Sequence, residues 1–297
     1  MYTGKSCINF DIESRVKDYL LKLESKEDSK PWLAAYKLLD SFCKETRKDC
    51  MLIGDAPRAL CLNGDYKLVR DTRIGSSVTT EILPKLKYIA NKDLNSSYSA
   101  CYCNWFLVPD AKTDEYFWIP PSIKALGCYT YTDAYFHPWD APAGMIRGRL
   151  QNVVDTAFTP NADEAGRLYS QGFNYAMNYP LDGIVLEGQK TMQLRKTAFD
   201  RVNVRRLFLT IEKQIGRIGK YFLYQGNTEF TRQRFTDQCR SVLEAAVNGG
   251  GIAEYAIKCD ATNNTPETID RDELHCRIAA KPVKSIEFIV LDFICTN

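Results

Sequence analysis

The segment Ser285–Cys295 is the feature that most restricts how this chain can fold. It is typical of a β-strand that is apolar on both faces, because successive side chains of a strand point to opposite sides. The two faces carry Ile286, Phe288, Val290 and Ile294 on one side and Ile289, Leu291 and Phe293 on the other. Such a strand needs cover on both faces and a neighbour at each edge. We expect it either to lie inside its own sheet, which is the simpler alternative, or to pair with a strand of another molecule.

Composition excludes several classes of protein. The 39 basic and 37 acidic residues give a net charge of +2, which argues against a dedicated nucleic-acid binder. No apolar run approaches the length of a membrane span, and Met1–Phe10 is too short and polar for a secretory signal. The 11 cysteines are irregularly spaced and form no C-x-x-C pair, which favours a reducing compartment. The close pair Cys101 and Cys103 favours core packing over a metal site.

The first half of the chain predicts an α/β (α+β) fold of layered sheets with flanking helices. We assign 1–150 to a first domain and 151–297 to a second. Helical spacing recurs over 12–23, 31–43 and 78–89, and strands are expected at Cys50–Ile53 and Tyr98–Val108. Residues 109–150 are rich in Pro, Gly and aromatic residues and predict a long structured loop.

The second half predicts five further elements before the closing segment. Asn161 and Glu164 form the pattern of a capping box, which opens a helix expected to reach about Met177. The remaining predictions are a strand at Gly183–Glu187, a helix over Asn203–Tyr224, a second helix ended by Gly249, and a strand at Glu273–Ala280 that Lys281-Pro282 separates from the closing strand.

Residues with catalytic potential are few. Neither His137 nor His275 has a partner at a spacing typical of a metal site or a catalytic triad. Asp55 follows Gly54 after a buried strand, so a carboxylate at the end of a sheet is conceivable, but an ordinary turn is the favoured interpretation. We therefore predict no catalytic residue, no metal and no cofactor, and keep a nucleotide-dependent enzyme that uses Asp55 as the alternative.

A row of cations lies opposite the apolar stripe of the helix over Asn203–Tyr224. Its members are Arg206, Lys213, Arg217 and Lys220. Rows of this kind are usually solvated helix faces. A row of one sign can also dock on an acidic partner, because complementary charge favours encounter and fixes register. Both interpretations stay open on the sequence alone.

Over residues 95–297, a series of short sequence words resembles the tail sheath proteins of contractile-tailed bacteriophages, in particular the T4-like group. The words occur in the family's order: 95–100 (NSSYSA), 138–144 (PWDAPAG), 147–148 (RG), 199–208 (FDRVNVRRLF), 259–266 (CDATNNTP), 269–270 (ID) and 281–289 (KPVKSIEFI). Each word is modest evidence, whereas the ordered set is specific.

The resemblance implies a structural subunit without enzymatic activity. Sheath subunits form six-membered rings that stack helically around a tail tube, and on a signal from the baseplate they contract and drive the tube through the host envelope. The implied partners are copies of the chain, the tail tube protein, and the baseplate and tail terminator proteins, with no membrane and no direct nucleic-acid contact. The implied location is the virion, after assembly in the host cytoplasm. A phage-tail-like injection particle is the neighbouring alternative.

The resemblance also implies roles for particular residues. C-terminal strands of sheath proteins join neighbouring subunits, which assigns inter-subunit linkage to Ser285, Ile286, Glu287, Phe288, Ile289, Val290, Leu291, Asp292, Phe293 and Ile294. Contact with the tube or a neighbour is assigned to Arg206, Lys213, Arg217 and Lys220. Family members usually have an N-terminal arm and outer domains that are not evident here. We accordingly expect a fragment, a split-gene product or a minimal sheath, and leave the strand donor open.

Overall fold

The computed structural model describes residues 36–41, 43, 51–55, 95–110, 112–113, 115–193 and 195–287. These residues fall into two compact units. The first contains the described residues up to Cys128 together with Ala143–Leu194, and the second contains Tyr129–Pro142 and the chain from Arg195 onward. The division differs from the predicted one at 150, because the chain leaves the first unit and returns to it.

A four-stranded mixed sheet organises the first unit, in the order β1-β2-β6-β7. Strands β1 (Leu52–Asp55), β2 (Ser99–Tyr102) and β6 (Phe173–Tyr179) run parallel, and β7 (Gly183–Glu187) closes the sheet antiparallel to β6. All four residues of β2 are buried, as expected for a strand of a sheet that is covered on both faces. The predicted strand at Gly183–Glu187 is confirmed.

The second sheet of this unit has three antiparallel strands in the order β4-β3-β5. They are β3 (Phe106–Pro109), β4 (Tyr116–Ile119) and β5 (Asp155–Thr156). The single strand predicted over Tyr98–Val108 is wrong, since the chain breaks at 103–105 and its two halves enter different sheets. The buried Asn104 occupies this break: its Nδ2 donates to the carbonyl of Phe158 at 2.7 Å, and its Oδ1 accepts from the Ala176 amide at 2.9 Å.

The loop predicted over 109–150 is also wrong, because it contains the 15-residue helix α1 (Pro121–Tyr135) and the short helix α2 (Gly144–Arg147). Pro121 suits the first helical position, where its missing N–H has no intrahelical partner to lose. The sequence of α1 carries no regular apolar stripe. Helix α1 crosses the boundary between the two units after Cys128.

The capping box at Asn161 and Glu164 is confirmed. The Glu164 amide donates to the Asn161 side chain, and the Asn161 amide donates to the Glu164 carboxylate, both at 2.9 Å. Helix α3 (Ala162–Ser170) nevertheless ends earlier than predicted. Gly172 adopts a φ of 87°, a left-handed conformation that glycine tolerates, and turns the chain into β6.

The second unit packs two long helices against a hairpin of strands. Helix α4 (Val202–Lys220) and helix α5 (Glu229–Asn248) confirm the two predicted helices. Strands β8 (Ile252–Lys258) and β9 (Arg277–Pro282) pair antiparallel, and the four-residue helix α6 (Pro266–Ile269) lies in their connection. The buried apolar cluster of this unit joins all these layers and consists of Leu207, Ile211, Leu243, Ala246 and Ile252.

Several predicted elements lie outside the described residues. They are the helices over 12–23 and 78–89 and the closing strand from Phe288 onward. Residues 36–41 and 43 are helical, within the helix predicted over 31–43. Within the described ranges, no helix combines the length and the apolar character that crossing a membrane requires.

Candidate assembly interface

The start of α4 holds the chain that follows β9. The Arg201 guanidinium binds the Glu287 carboxylate through two hydrogen bonds, at 2.5 and 2.8 Å, and contacts Asp200 at 2.9 Å. Asn203 donates from Nδ2 to the Ser285 hydroxyl at 2.9 Å. A two-pronged guanidinium–carboxylate pair fixes orientation as well as distance. The segment 285–287 is therefore fastened to the body of the second unit immediately before Phe288.

This anchoring corrects the predicted start of the closing strand. Ser285, Ile286 and Glu287 are in no ladder, and their polar side chains are turned back to α4. Ile286 points the other way and is 83% exposed. The residues from Phe288 to Ile294 that complete the predicted linkage lie outside the described part of the chain.

The strand before it also begins later than predicted. Instead of Glu273–Ala280 with a break at Lys281-Pro282, β9 runs from Arg277 to Pro282. Residues before it are held by the loop amides: the His275 amide donates to Asn264 Oδ1 at 2.7 Å, and the His275 carbonyl accepts from Asn263 and Asn264, both at 2.9 Å. Pro282 lies at the end of a strand whose ladder has two members among the described residues, a position that tolerates its missing N–H.

Arg206 is not part of an exposed row. Its side chain is buried, with the whole residue 9% exposed, and its guanidinium contacts the Asp133 carboxylate and lies 4.9 Å from the centre of the Tyr129 ring. Arg206 and Lys213 are two turns apart and share a helix face. The second half of α1 covers that face at Arg206 and leaves it open further along, so periodicity alone could not separate the two residues.

The remaining three cations lie on the open part of α4. Lys213, Arg217 and Lys220 are all exposed, and Glu212 is the exposed acidic residue beside them. Basic side chains also suit the C-terminal turn of a helix, where the backbone dipole is negative. The structure thus reduces the predicted row of four cations to an exposed row of three.

The tip of the α4–α5 hairpin carries exposed apolar side chains that the sequence interpretation missed. They are Tyr221, Leu223, Tyr224 and Phe230. Tyr224 has a φ of 66°, an uncommon conformation for a residue other than glycine. The run 221–224 (YFLY) directly after a basic helix end was a signal that could have been used, since aromatic residues are enriched at interfaces.

The residues considered as catalytic or metal-binding candidates make contacts that support the fold. Asp55 accepts from the Ser122 amide at 2.6 Å and from the Ser122 hydroxyl at 2.7 Å, so its carboxylate caps the start of α1. Burial raises the pKa of Asp55, against the lowering effect of these two bonds. His137 stacks on Trp139, and the His275 ring lies 2.9 Å from Glu273. Cys101 and Cys103 are buried, as predicted for core packing.

No cluster of three or more His, Cys, Asp or Glu side chains suited to a metal ion occurs within the described ranges. Three half-buried or buried thiols do meet beside β8 and β9, from Cys239, Cys259 and Cys276. Burial raises the pKa of Cys239 to about 11 and, together with the neighbouring thiols, the pKa of Cys276 to about 12.

Comparison with known proteins relates this chain to a protein family. The phage tail sheath C-terminal domain matches residues 195–296. The tail sheath protein of Enterobacteria phage T4 is 33% identical over 253 residues, which is 85% of this chain, and that of Salmonella phage ViI is 35% identical over 292 residues, or 95%. Residues 195–296 belong to the phage tail sheath C-terminal domain family, and most of the chain is similar to phage tail sheath proteins. The resemblance noted in its sequence words is confirmed.

Solved sheath structures share the fold. The helical sheath of the anti-feeding prophage in its contracted state superposes with a TM-score of 0.67 at 21% identity, covering 91% of this chain and 68% of that one. A chain of the anti-feeding prophage baseplate superposes with a TM-score of 0.70 at 20% identity, covering 91% and 66%. These likenesses establish the α+β architecture of the sheath family.

The matched region is shorter than the family's full-length members. The chain spans 38% of the T4 sheath protein and 45% of the ViI sheath protein. The C-terminal domain match coincides with the larger segment of the second unit, which starts at Arg195.

The family words now have structural counterparts. In the word at 138–144, Trp139 donates from its indole nitrogen to the Gly249 carbonyl at 2.9 Å. The word at 199–208 supplies the anchors of segment 285–287 and places the Arg205 guanidinium 4.0 Å from the centre of the Phe199 ring. The word at 259–266 supplies the asparagine amides that tie the ends of β8 and β9 together. Each of these three words therefore supplies a contact between elements.

Proposed function

We propose that this chain is the working part of a contractile tail sheath subunit, which surrounds a tail tube and shortens to drive it through a host envelope. The observation that carries the proposal is the match to sheath proteins of T4 and ViI over 85% and 95% of its length. Copies of the chain would stack in six-membered rings, and the tube, baseplate and terminator proteins would be its partners.

The energy for shortening is conformational in this proposal. Subunits assemble in an extended array and relax into one whose contacts are better satisfied, so no bond is broken and no site needs catalysis. A strand linkage between copies keeps them connected while each body moves as a rigid unit. The solved anti-feeding prophage sheath in its contracted state supports a shared contracted form.

The linkage is proposed for Ser285–Ile294, next to β9, with Ser285–Glu287 as its anchor on α4 and the predicted strand from Phe288 onward as the part that reaches another copy. The β8–β9 ladder has two members among the described residues, so its edges offer unpaired N–H and C=O groups to a strand from another copy. The anchor formed by Arg201 with Glu287 and by Asn203 with Ser285 supports this role, because it fixes the point at which the linkage strand leaves the body. A fixed departure point transmits rotation of the body to the linked neighbour.

The exposed row Lys213, Arg217 and Lys220 is proposed for contact with an acidic surface of the tube or of a neighbour. Exposed charged contacts suit a surface that must release during contraction, whereas a large apolar interface would hold. Arg206 leaves this group because its guanidinium is committed to Asp133.

Electron microscopy of the expressed chain, with and without tube protein, tests the proposal. We expect rings or rods, loss of both on deletion of 285–297, and weakened tube-templated assembly after charge reversal at Lys213 and Arg217. The Arg206→Met variant serves as a matched control and should template normally. Tubular assemblies formed equally well by the deletion variant would contradict the assigned linkage.

An injection particle is the second candidate. It is favoured by the fold likeness to a sheath of the anti-feeding prophage and to a sheath of an extracellular contractile injection system, the latter with a TM-score of 0.64 at 24% identity. A DNA-filled head on the purified particle would assign the chain to a virion, and a headless particle would assign it to an injection system.

A further inference from the structure

Three cysteines from separate elements come together at one end of the β8–β9 hairpin. Cys239 lies on α5, Cys259 follows β8 directly, and Cys276 immediately precedes β9. The last residues paired in the ladder are Lys258 and Arg277. Continuing the antiparallel register by one step places Cys259 opposite Cys276.

The period of a strand places both thiols on the same face of the hairpin. Lys258 and Arg277 are exposed, whereas the preceding pair, Ile257 and Ile278, packs against the cluster of α4 and α5. Side chains alternate along a strand, so the next pair points to the helices again. Cys259 and Cys276 are accordingly half-buried, face the buried Cys239, and contact each other through their side chains.

The surrounding loop holds this geometry. Asn263 donates from Nδ2 to the Lys258 carbonyl at 2.8 Å and to the His275 carbonyl at 2.9 Å, which ties together the residues that immediately precede the two cysteines. Residues directly opposite in an antiparallel ladder have Cα atoms roughly 4.5–5.5 Å apart. That separation lies within the range of about 4.4–6.8 Å that a disulfide requires.

We propose that Cys259 and Cys276 are a redox-modification site, which closes to an intrachain disulfide when the folded protein meets a low-molecular-weight disulfide such as oxidised glutathione. The cross-link would join the ends of β8 and β9 and close the loop that carries α6. It stands independently of the sheath proposal, since it depends only on the hairpin and the oxidant.

The chemistry balances as two thiol–disulfide exchanges. The sulfur of Cys259 attacks one sulfur of the oxidant, forms a mixed disulfide and expels one small thiolate. The sulfur of Cys276 loses its proton, attacks Sγ of Cys259 and expels the second small thiolate. The two protein thiols thus lose two electrons and two protons, and the oxidant takes them up as two small thiols. Its raised pKa makes Cys276 the slow, resolving thiol.

Peptide mapping of the full chain tests the site. The reduced protein is incubated with oxidised glutathione, quenched with an alkylating agent, and digested without reductant. We expect a cross-linked peptide pair containing Cys259 and Cys276, an intact mass that before alkylation is lower by two hydrogen atoms, and full reversal by dithiothreitol. Cys239→Ser should retain the cross-link, whereas Cys259→Ser and Cys276→Ser should each abolish it.

Three results would overturn the proposal. The first is glutathione adducts that never resolve to a cross-link, and the second is a cross-linked peptide pair that contains Cys239. The third is a wild-type chain that stays fully reduced at oxidant concentrations that cross-link it after unfolding in urea. Because the wild-type map decides each of these results, a variant that fails to fold would not obscure the answer.

Discussion

Adding one methyl group at Gly251 tests the contact on which the second unit is built. A Cβ at this position would lie 2.9 Å from Cδ1 and Cγ of Trp139 and 3.0 Å from Cδ1 of Leu207. The indole cannot move away freely, since its nitrogen donates to the Gly249 carbonyl at 2.9 Å and its ring stacks on His137 with centroids 4.8 Å apart.

The expected cost follows from these distances. Overpacking of a close-packed site costs about 1–3 kcal/mol. Shifting the indole also weakens a hydrogen bond that contributes about 1 kcal/mol. We therefore expect Gly251→Ala to lower the free energy of unfolding of the second unit by about 2–4 kcal/mol. Gly250→Ala is the matched control, because its added Cβ meets nothing within 4 Å and its φ of 72° costs only the left-handed strain of roughly 1–2 kcal/mol.

Urea titration read by hydrogen exchange of peptides from α4 and α5 isolates the second unit from the first. Repeating both substitutions in a Trp139→Ala background gives a double-mutant cycle, which isolates the contact with Trp139. The Gly251→Ala penalty should fall by at least about 1 kcal/mol there, whereas the Gly250→Ala penalty should stay the same. An equal Gly251→Ala penalty in both backgrounds would refute the steric argument.

Three further predictions concern single side chains. Asp55→Ala should destabilise the first unit by about 1 kcal/mol through loss of the cap on α1. Burial raises the pKa of Asp55 in the folded state. The contribution of Asp55 to the free energy of unfolding should therefore grow as the pH falls from this raised pKa towards the ordinary value of 3.8. Asp55→Asn should remove this pH dependence in acid titrations of unfolding. Asp133→Ala should lower the free energy of unfolding, measured by urea titration, by about 1–2 kcal/mol. This is less than the loss expected from breaking a fully buried ion pair, because Asp133 is half exposed. Adding Arg206→Met should recover most of the loss. The closing step of the Cys259–Cys276 cross-link should accelerate steadily between pH 7 and 9, because burial raises the pKa of Cys276, which faces Cys239 and Cys259 and is flanked by His275 and Arg277. A flat profile by quenched mass spectrometry would contradict this.

Local sequence patterns were sufficient to predict the elements that are determined by residues close together in the chain. The stripe of α4, the end of α5 at Gly249 and the capping box of α3 each depend on residues within a few turns of one another, and the structure has all three. The ordered sequence words were likewise enough to identify the family, because their order is a property of the linear chain. Local energetics and tertiary packing agree at these places.

Other features depend on residues far apart in sequence, and no local pattern encodes them. Helix α1 lacks a regular stripe and is begun by a cap from Asp55, 67 residues away. Arg206 and Lys213 share a helix face, yet one is buried against Asp133 and the other is exposed, because the second half of α1 covers only part of α4. The burial of a helix residue depends on which distant part of the chain packs against it. Periodicity describes only the helix itself and does not show which part of the helix is covered.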